Sequence, residues 1–558
     1  MKTAMRQNII IATMAAMAVS MPCLAQQNGS GLPSRSMTVE VTYNPNTGQA
    51  GKLMPVPEKE TAFKKDVAVT YLTDSVAPAS LSSRDRQPMT ALGVDTEKPI
   101  LPVLSGYAGL GYGFRNVSDG DAGLRWRISD NDILDFAGTL GGSNSVVLDD
   151  WRSRLFNAGA EVSYSHFFKR FEIDAFGSLG YSHRNFRQDS LVTPVLDEDR
   201  LMQRTHQSGL GLRIRSYGDG DVKWNIGVRR ELLDRGGLRL YGDDSPYNEE
   251  SLFRVEAGLA LPVKGGMAQL QYRQKTAMYN WTGMFGCDYK DFSTFTLTPS
   301  WAFNVGEMAI CLGVNLDVRT ALGNKFMFSP ATSAVYRVND KLQLDLLFTG
   351  GVEDNCMSHL AEISPYWSEK AQIRDGYTLG NLSAGVTYTA TPDMRLSLRA
   401  GYRYTLDELF QVPLYDSIAV TSLLMRDDAH VFYVNANMDM NFSERVTVNA
   451  NVLCNSWAGN YKEDCLMLKP VVDASVFGHV NILPGLDASV SYRFIQFMKT
   501  GEPRMKAVND LGLTFDWDYN EHLSFYSTMG NLLGGNFQYY AGYRGLKPYA
   551  LAGVVYRF

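Results

Sequence analysis

Beyond residue 103 one pattern repeats: apolar and polar side chains alternate with a period of two, over runs of roughly ten to fourteen residues. In "RLSLRAGYRY", Leu396, Leu398, Ala400, Tyr402 and Tyr404 share one face, and Arg395, Ser397, Arg399, Gly401 and Arg403 share the other. "HVFYVNANMDMNF" sets Phe432, Val434, Ala436, Met438, Met440 and Phe442 against Tyr433, Asn435, Asn437, Asp439 and Asn441. The split recurs in "LSAGVTYTA", "KLQLDLLF", "FEIDAFGSLGY" and "VKWNIGV". Successive side chains of a strand point to opposite faces, so each run predicts a strand with one greasy and one wet side. A soluble sandwich alternates too. Runs of about ten residues or more, whose apolar faces end in Tyr, Phe or Trp, suit a tilted bilayer crossing with an aromatic girdle.

The connections are of two kinds. Ten are tight: "SDND", Lys169-Arg170, Tyr217 to Asp221, Lys264 to Gly266, Val305 to Glu307, Val338 to Lys341, Thr391 to Met394, Ser443-Glu444, Leu483 to Gly485 and Tyr519 to Glu521. Each is built from residues that reverse a chain at low cost. Between them come longer irregular segments, such as Arg187 to Asp199, Asp234 to Asn248, Glu353 to Gly376, Asp407 to Asp428 and Leu532 to Asn536. This asymmetry predicts an all-β, transmembrane antiparallel barrel of about 22 strands, with short turns and both chain ends in the periplasm. The last strand, "YALAGVVYRF", must then pair with the first near Leu104 to Phe114, because an open edge in lipid leaves backbone groups unsatisfied.

Other features agree with an exported protein. Residues 1–25 read as a cleaved signal peptide: Lys2 and Arg6, an apolar run from Ile9 to Met21, then Cys23-Leu24-Ala25. Pro22 before Cys23 disfavours lipid attachment at that cysteine. Losing Lys2 and Arg6 moves the net charge from -6 to -8, which offers no basic stripe for a nucleic acid. Outside the leader no apolar stretch is long enough for a membrane-spanning helix. Residues 26–102 are rich in Pro, Ser, Thr and charge and read as an extended, partly disordered periplasmic or lumenal segment, ahead of a barrel over 103–558.

The end of the chain resembles a known family. A terminal Phe558 on a strand with Tyr556 two residues earlier resembles the signal read by the outer-membrane barrel assembly machinery. In "HLSFYSTMGNLLGGNFQYYAGYRGLKPYALAGVVYRF", Asn531-Leu532 before the last loop and Gly542-Tyr543 before the closing strand resemble the end of the TonB-dependent receptors of Gram-negative outer membranes. The front departs from that family, whose plug is considerably larger than residues 26–102. "MTVEV", Met37, Thr38, Val39, Glu40 and Val41, loosely resembles the family's energy-coupling box, but five apolar and acidic residues are a weak match and an ordinary edge strand is the preferred reading. The resemblance implies passage or uptake of a nutrient, with TonB or another periplasmic protein and a surface lipoprotein as partners.

No catalytic constellation, cofactor motif or metal site stands out. "CMSH" at Cys356 to His359 places two soft ligands in a loop without further partners. "DGD" at Asp119 to Asp121 and at Asp219 to Asp221 reads as turn residues. Five cysteines outlast the leader, of which Cys454 and Cys465 flank "NSWAGNYKED" at a predicted hairpin top and are candidates for a disulfide. The wet faces carry Arg395, Arg399 and Arg403 with Asp345 and Asp439, either as wall-bracing pairs or as a lining that favours anions. Pro365-Tyr366-Trp367 and Pro413-Leu414-Tyr415 place aromatics on the largest loops, to stack on sugars, to meet a lipoprotein or to pack on each other. The expected function is nutrient passage through the outer membrane; the alternative is a barrel that anchors an envelope complex.

Overall fold

The computed structural model describes residues 104–558 apart from 149–150, 189–197, 217–221, 239–246, 283–288, 322–324, 369–372, 415–417, 444, 459–468 and 499–504. The leader, the segment 26–102, Met37 to Val41, Asp219 to Asp221, Tyr415 and Cys465 lie outside the described residues.

Twenty-two strands form one antiparallel sheet that closes on itself. Neighbours in sequence pair around the ring, and β1 (Leu104–Gly113) meets β24 (Tyr549–Arg557) in a register running from Tyr107 with Arg557 to Gly113 with Leu551. Gly106 and Phe558 extend the pairing by exchanging both backbone hydrogen bonds, each 2.9 Å. Closure leaves no unpaired edge. Two very short strands, β22 (Gln538–Tyr540) and β23 (Tyr543–Arg544), form a separate ladder inside the last loop.

Nine of the ten tight turns join consecutive strands at one rim, the turn rim; the tenth, 217–221, is outside the described residues. Gly265, Gly306 and Gly485 sit there at φ of 89°, 59° and 81°, a region costly for any residue with a Cβ. At the opposite, loop rim most connections are longer, although only two residues separate Leu148 from Trp151 where the third and fourth strands meet, and β1 and β2 (Val117–Ser129) are joined by only three, with Arg115 and Asn116 at positive φ. The outward faces are apolar and exposed, as at Leu110, Leu210, Phe328 and Val554. Trp301, Trp517, Tyr519, Phe525, Tyr556 and Phe558 face outward near the turn rim, the girdle the sequence predicts.

Two expectations need correction. "DGD" at Asp119 to Asp121 is no turn: it lies inside β2, and period two puts both carboxylates on the lumen side, 5% and 6% exposed. Asp407 to Asp428 is mostly strand as well. β15 (Met394–Leu414) and β16 (Thr421–Ser443) run on past their neighbours, since β14 (Gly376–Thr391) pairs with β15 only as far as Leu406, and β17 (Val446–Ala458) with β16 as far as His430. The free hairpin bends at a bulge between Thr405 and Glu408, where Asp407 takes φ 55°. Its carboxylate accepts a 2.5 Å bond from Arg374, and its carbonyl a 3.2 Å bond from Arg426. Asp and Asn tolerate the left-handed region better than other residues with a Cβ. Asp407→Ala is expected to cost about 1–3 kcal/mol of local order, whereas Asp407→Asn keeps the bend and loses only the ion pair; hydrogen exchange of the 408–427 hairpin would separate the two.

The closing seam is latched from inside. Tyr526 of β21 (Leu523–Gly530) stands in register with Gly553, Gly553 with Gly111, and Gly111 with Asp119. The two glycines leave a trough, and the Tyr526 hydroxyl donates across it to Asp119. One ring thus ties four strands on both sides of the seam.

Candidate functional site: the lumen and its covered mouth

The lumen wall is charged and largely self-paired. Arg399 reaches Asp345 of β13 (Leu342–Glu353) at 2.7 Å across β14, because Gly385, in register with both, has no side chain to block the path. Arg395 faces Asp439 in register, and Arg403 lies 3.5 Å from Glu408, which Lys469 also reaches at 2.7 Å. Elsewhere Arg125 pairs with Asp135 at 2.7 Å, Arg213 with Asp174 at 3.1 Å and Arg493 with Asp473 at 3.0 Å. Such pairs brace neighbouring strands while the water-filled interior screens them.

At the loop rim the barrel is covered. The loop between β13 and β14 carries helix α1 (Met357–Ile363), and Glu250 of β8 (Tyr247–Val263) accepts the helix's first amides, from Met357 at 2.5 Å and Ser358 at 2.9 Å. Both ends of this loop are tied to Lys275 of β9 (Gly266–Thr282), whose ammonium lies 2.6 Å from Asp354 and 2.5 Å from Asp375. Arg254 adds a 2.7 Å contact to Asp354, and Thr294 a 2.8 Å bond to Asp375. Lys275 and Asp375 are 9% and 1% exposed in their side chains, so this half of the latch is dry, while Asp354 is 36% exposed.

Across the mouth the loops meet. Gln188, just past β5 (Phe171–Asn185), bridges to Ala419, just before β16. β5 and β16 are eleven places apart in a ring of 22, so the two segments approach from opposite walls. Tyr366 stacks on Tyr543 with ring centroids 3.5 Å apart, Trp151 meets Tyr543 edge-on at 5.4 Å, and the Tyr543 hydroxyl donates to the Val420 carbonyl at 2.6 Å. Trp367 bonds through its carbonyl to Arg235 at 3.1 Å, beneath the same guanidinium that sits 4.1 Å over its ring. Tyr366, Trp367 and Tyr543 are 7%, 1% and 1% exposed. The aromatics of Pro365-Tyr366-Trp367 are therefore packed inward rather than displayed, which takes their apolar rings out of water.

Burial raises the Asp354 carboxyl, and the Lys275 and Arg254 charges more than offset it, holding the group well below the usual carboxylate range. A depressed folded value means that the latch's contribution is complete above the ordinary carboxylate pKa and lost only as pH falls through the lowered one. The mouth is expected to stay covered through mild acid, near pH 4–5, and to loosen only in stronger acid; Trp fluorescence against pH would show it, and a transition centred at ordinary carboxylate pKa would contradict it.

The remaining sequence candidates are not drawn together. Cys356 precedes α1, His359 pairs with Glu362 at 3.6 Å, and among the described residues no group of three His, Cys, Asp or Glu could hold a metal. Cys454 is half-buried on β17, and Cys465, the other half of the candidate disulfide, lies outside the described residues. Lys275, Asp354 and Asp375 escaped sequence reasoning, because nothing local marks residues up to 100 positions apart as partners, and Tyr543 was named only for the Gly542-Tyr543 resemblance and not for its place in the cover. Asn531 did carry a signal: at φ 48° its side chain bonds the Leu546 and Gly535 carbonyls, at 2.7 and 3.2 Å, and folds the last loop.

No family model matches the chain, and no curated protein matches its sequence. Solved structures do. The FrpB iron transporter of Neisseria meningitidis is similar over 82% of each chain, at 11% identity and a TM-score of 0.64. A variant of the ferric enterobactin receptor of Pseudomonas aeruginosa, in complex with enterobactin, is similar over 83% of this chain and 82% of its own, at 10% identity and 0.64. The siderophore receptor PirA of Acinetobacter baumannii is similar over 83% and 81%, at 11% and 0.62. What this chain shares with all three is the fold, so in architecture it is a 22-strand barrel like those of the TonB-dependent receptors it resembles at its last hairpin.

Proposed function

We propose that the protein is an outer-membrane barrel for uptake of a nutrient, with its loop rim facing the medium and its turn rim facing the periplasm. The observation that carries this reading is the covered mouth: loops from opposite walls meet in a dry aromatic cluster above a wide polar lumen. An anchor needs a wall but no such cover, and 22-strand transport barrels are the size class whose lumen is kept obstructed. The likeness to an iron transporter and two siderophore receptors supports uptake as the general function. Residues 26–102 supply the reach for a periplasmic partner of the TonB kind, and the loop rim supplies the surface for a lipoprotein. The polar wall holds and passes the solute without covalent chemistry.

The test is conductance. Tyr543 touches Tyr366, Trp151, Phe186 and Val420, so Tyr543→Ala removes the centre of the cover at about 3–5 kcal/mol. Purified protein in planar bilayers is expected to be nearly silent, Tyr543→Ala to open transiently, and Tyr543→Ala without residues 26–102 to conduct steadily. A barrel whose conductance is indifferent to both changes would favour the anchor instead.

A further inference from the structure

We propose that the lumen wall of β16 and β17 is a binding track for a neutral, polyhydroxylated solute, an oligosaccharide. The inference rests on the uptake reading and deepens it, since it names the class of nutrient. The tetrapeptide "VNAN" occurs twice, at residues 434–437 and 448–451, and its period of two points valine and alanine to lipid, with Phe432, and both asparagines to the lumen. With Asn441 and Asn455 added, asparagine fills six of the ten inward positions from Tyr433 to Asn441 and from Thr447 to Asn455. Asparagine is a poor strand residue. A wall that only faces water is served as well by serine, threonine or paired charges, so its repetition on one face of two paired strands needs another cause.

The amides are arranged so that hydrogen-bonding groups remain. Asn451 donates to Asn435 at 3.2 Å and also to Asn437, with which it stands in register. These bonds engage the Asn451 amino group and the oxygens of its partners, and they leave the Asn435 and Asn437 amino groups and the Asn451 oxygen for a ligand. Among the described residues none of those three groups has a partner, and neither has the Asn449 side chain. At the loop-side head of the track, half-buried Tyr433 lies along the wall. Its ring crosses Gly401, which has no side chain in the way, and its hydroxyl donates to Asn381 of β14 at 2.8 Å. One face of the ring is thereby turned to the lumen, beside Asn455, which is in register with Tyr433. From Tyr433 to Asn441 the track descends about 27 Å at the rise of a strand, close to the thickness of a bilayer's hydrocarbon core.

The chemistry selects the solute. An amide carries donors and an acceptor in one plane, and a sugar hydroxyl is both donor and acceptor, so the two match in any order along the track. The apolar face of a sugar ring fits the Tyr433 ring. An anionic solute needs unpaired cations, and those nearest are answered: Arg399 by Asp345, Arg403 by Glu408, and Arg395 by Asp439, the one charged residue among the ten inward positions. A peptide backbone is best met along an open strand edge, and a closed barrel has none. Passage also requires binding that is weak and repeated, so that a solute both enters and leaves, and a row of similar amides supplies it.

The test is saturation-transfer NMR of the full-length mature protein in detergent, titrated with maltohexaose and cellohexaose, with a hexamer of galacturonate, and with a neutral hexapeptide of alanine and serine. The expected result is binding of at least one glucan about tenfold tighter than of the galacturonate or the peptide. Asn437→Val with Asn451→Val should weaken that glucan about tenfold, and valine, the better strand residue, spares the fold. Tyr433→Phe keeps the ring face and should hold the affinity within about twofold, whereas Tyr433→Leu should weaken it by about tenfold. No binding of either glucan, a preference for the galacturonate or the peptide, or a glucan affinity indifferent to the asparagine pair overturns the proposal. Compact mobility on an unheated gel confirms folding of each variant. Binding in detergent does not depend on conduction, so the two readings fail differently: a Tyr543→Ala barrel that opens while the protein binds no glucan refutes the track and spares uptake, and a barrel indifferent in conductance whose track still binds glucan refutes uptake instead.

Discussion

Gly553→Ala should yield a barrel that closes poorly. A Cβ at that position falls well inside contact distance of the Tyr526 ring, whose edge lies flat over Gly553 and Gly111 on its way to Asp119. Tyr526 is 4% exposed and hemmed by strand backbone, so it must leave the row. Overpacking costs about 1–3 kcal/mol, and Asp119, buried at the seam, then loses a hydrogen-bond donor at about 1–3 kcal/mol more. The seam strands are also short, β1 and β24 having only 10 and 9 residues. The expected result is a lower temperature for loss of compact mobility on unheated gels, together with a raised leak. Tyr526→Phe should lose only the hydrogen-bond share. Gly553→Ala combined with Tyr526→Ala should recover part of the loss, because the clash is gone; an unaltered Gly553→Ala barrel would show that the row does not latch the seam.

Lys275→Met should free the loop that carries α1. The lysine holds Asp354 and Asp375, the two ends of that loop, and Asp375 is almost wholly buried. Methionine fills the same volume but leaves two carboxylates facing each other without their cation. Removing one partner of a buried pair costs about 3–5 kcal/mol, more than replacing the whole pair with apolar residues. Arg254 still reaches Asp354, so the Asp375 end should come away first. The predicted readouts are new protease cleavage between Asp354 and Asp375, and channel openings that wild type lacks. Adding Asp375→Asn removes the stranded charge and should restore protection in part. If Lys275→Met stays resistant and silent, the aromatic cluster alone holds the cover.

The wall was legible in the chain, and the cover was not. Alternation in stretches such as Arg395 to Tyr404 shows strand, face and medium together, because a barrel strand has only two environments and the side-chain period is two. The tight turns were legible for a similar reason: Gly265, Gly306 and Gly485 need a backbone conformation that few residues tolerate. Closure followed from the same physics, since an unpaired edge in hydrocarbon is untenable, and Phe558 pairs with Gly106 accordingly. Asp407 to Asp428 misled because its breakers, Pro413 and the charged run near Arg426, look like a loop, while the hairpin stands clear of its neighbouring strands β14 and β17 and so obeys no lipid pattern. Asp119 to Asp121 misled because Asp-Gly-Asp has the composition of a turn, although alternation already placed both acids on the wet side.

By itself, then, the sequence determined the class of the protein, the order and number of its strands, the faces they present and the rim at which the described wall begins and ends. Only the tertiary structure decided that Arg399 finds Asp345 over a glycine, that Tyr526 bolts the seam, and that Tyr366, Tyr543 and Lys275 draw the loops across the mouth. The division has one physical cause. Strand periodicity is a local response to solvent and lipid that each residue records in its own type, whereas contacts across a ring of 22 strands depend on register and curvature, which no short stretch of chain contains.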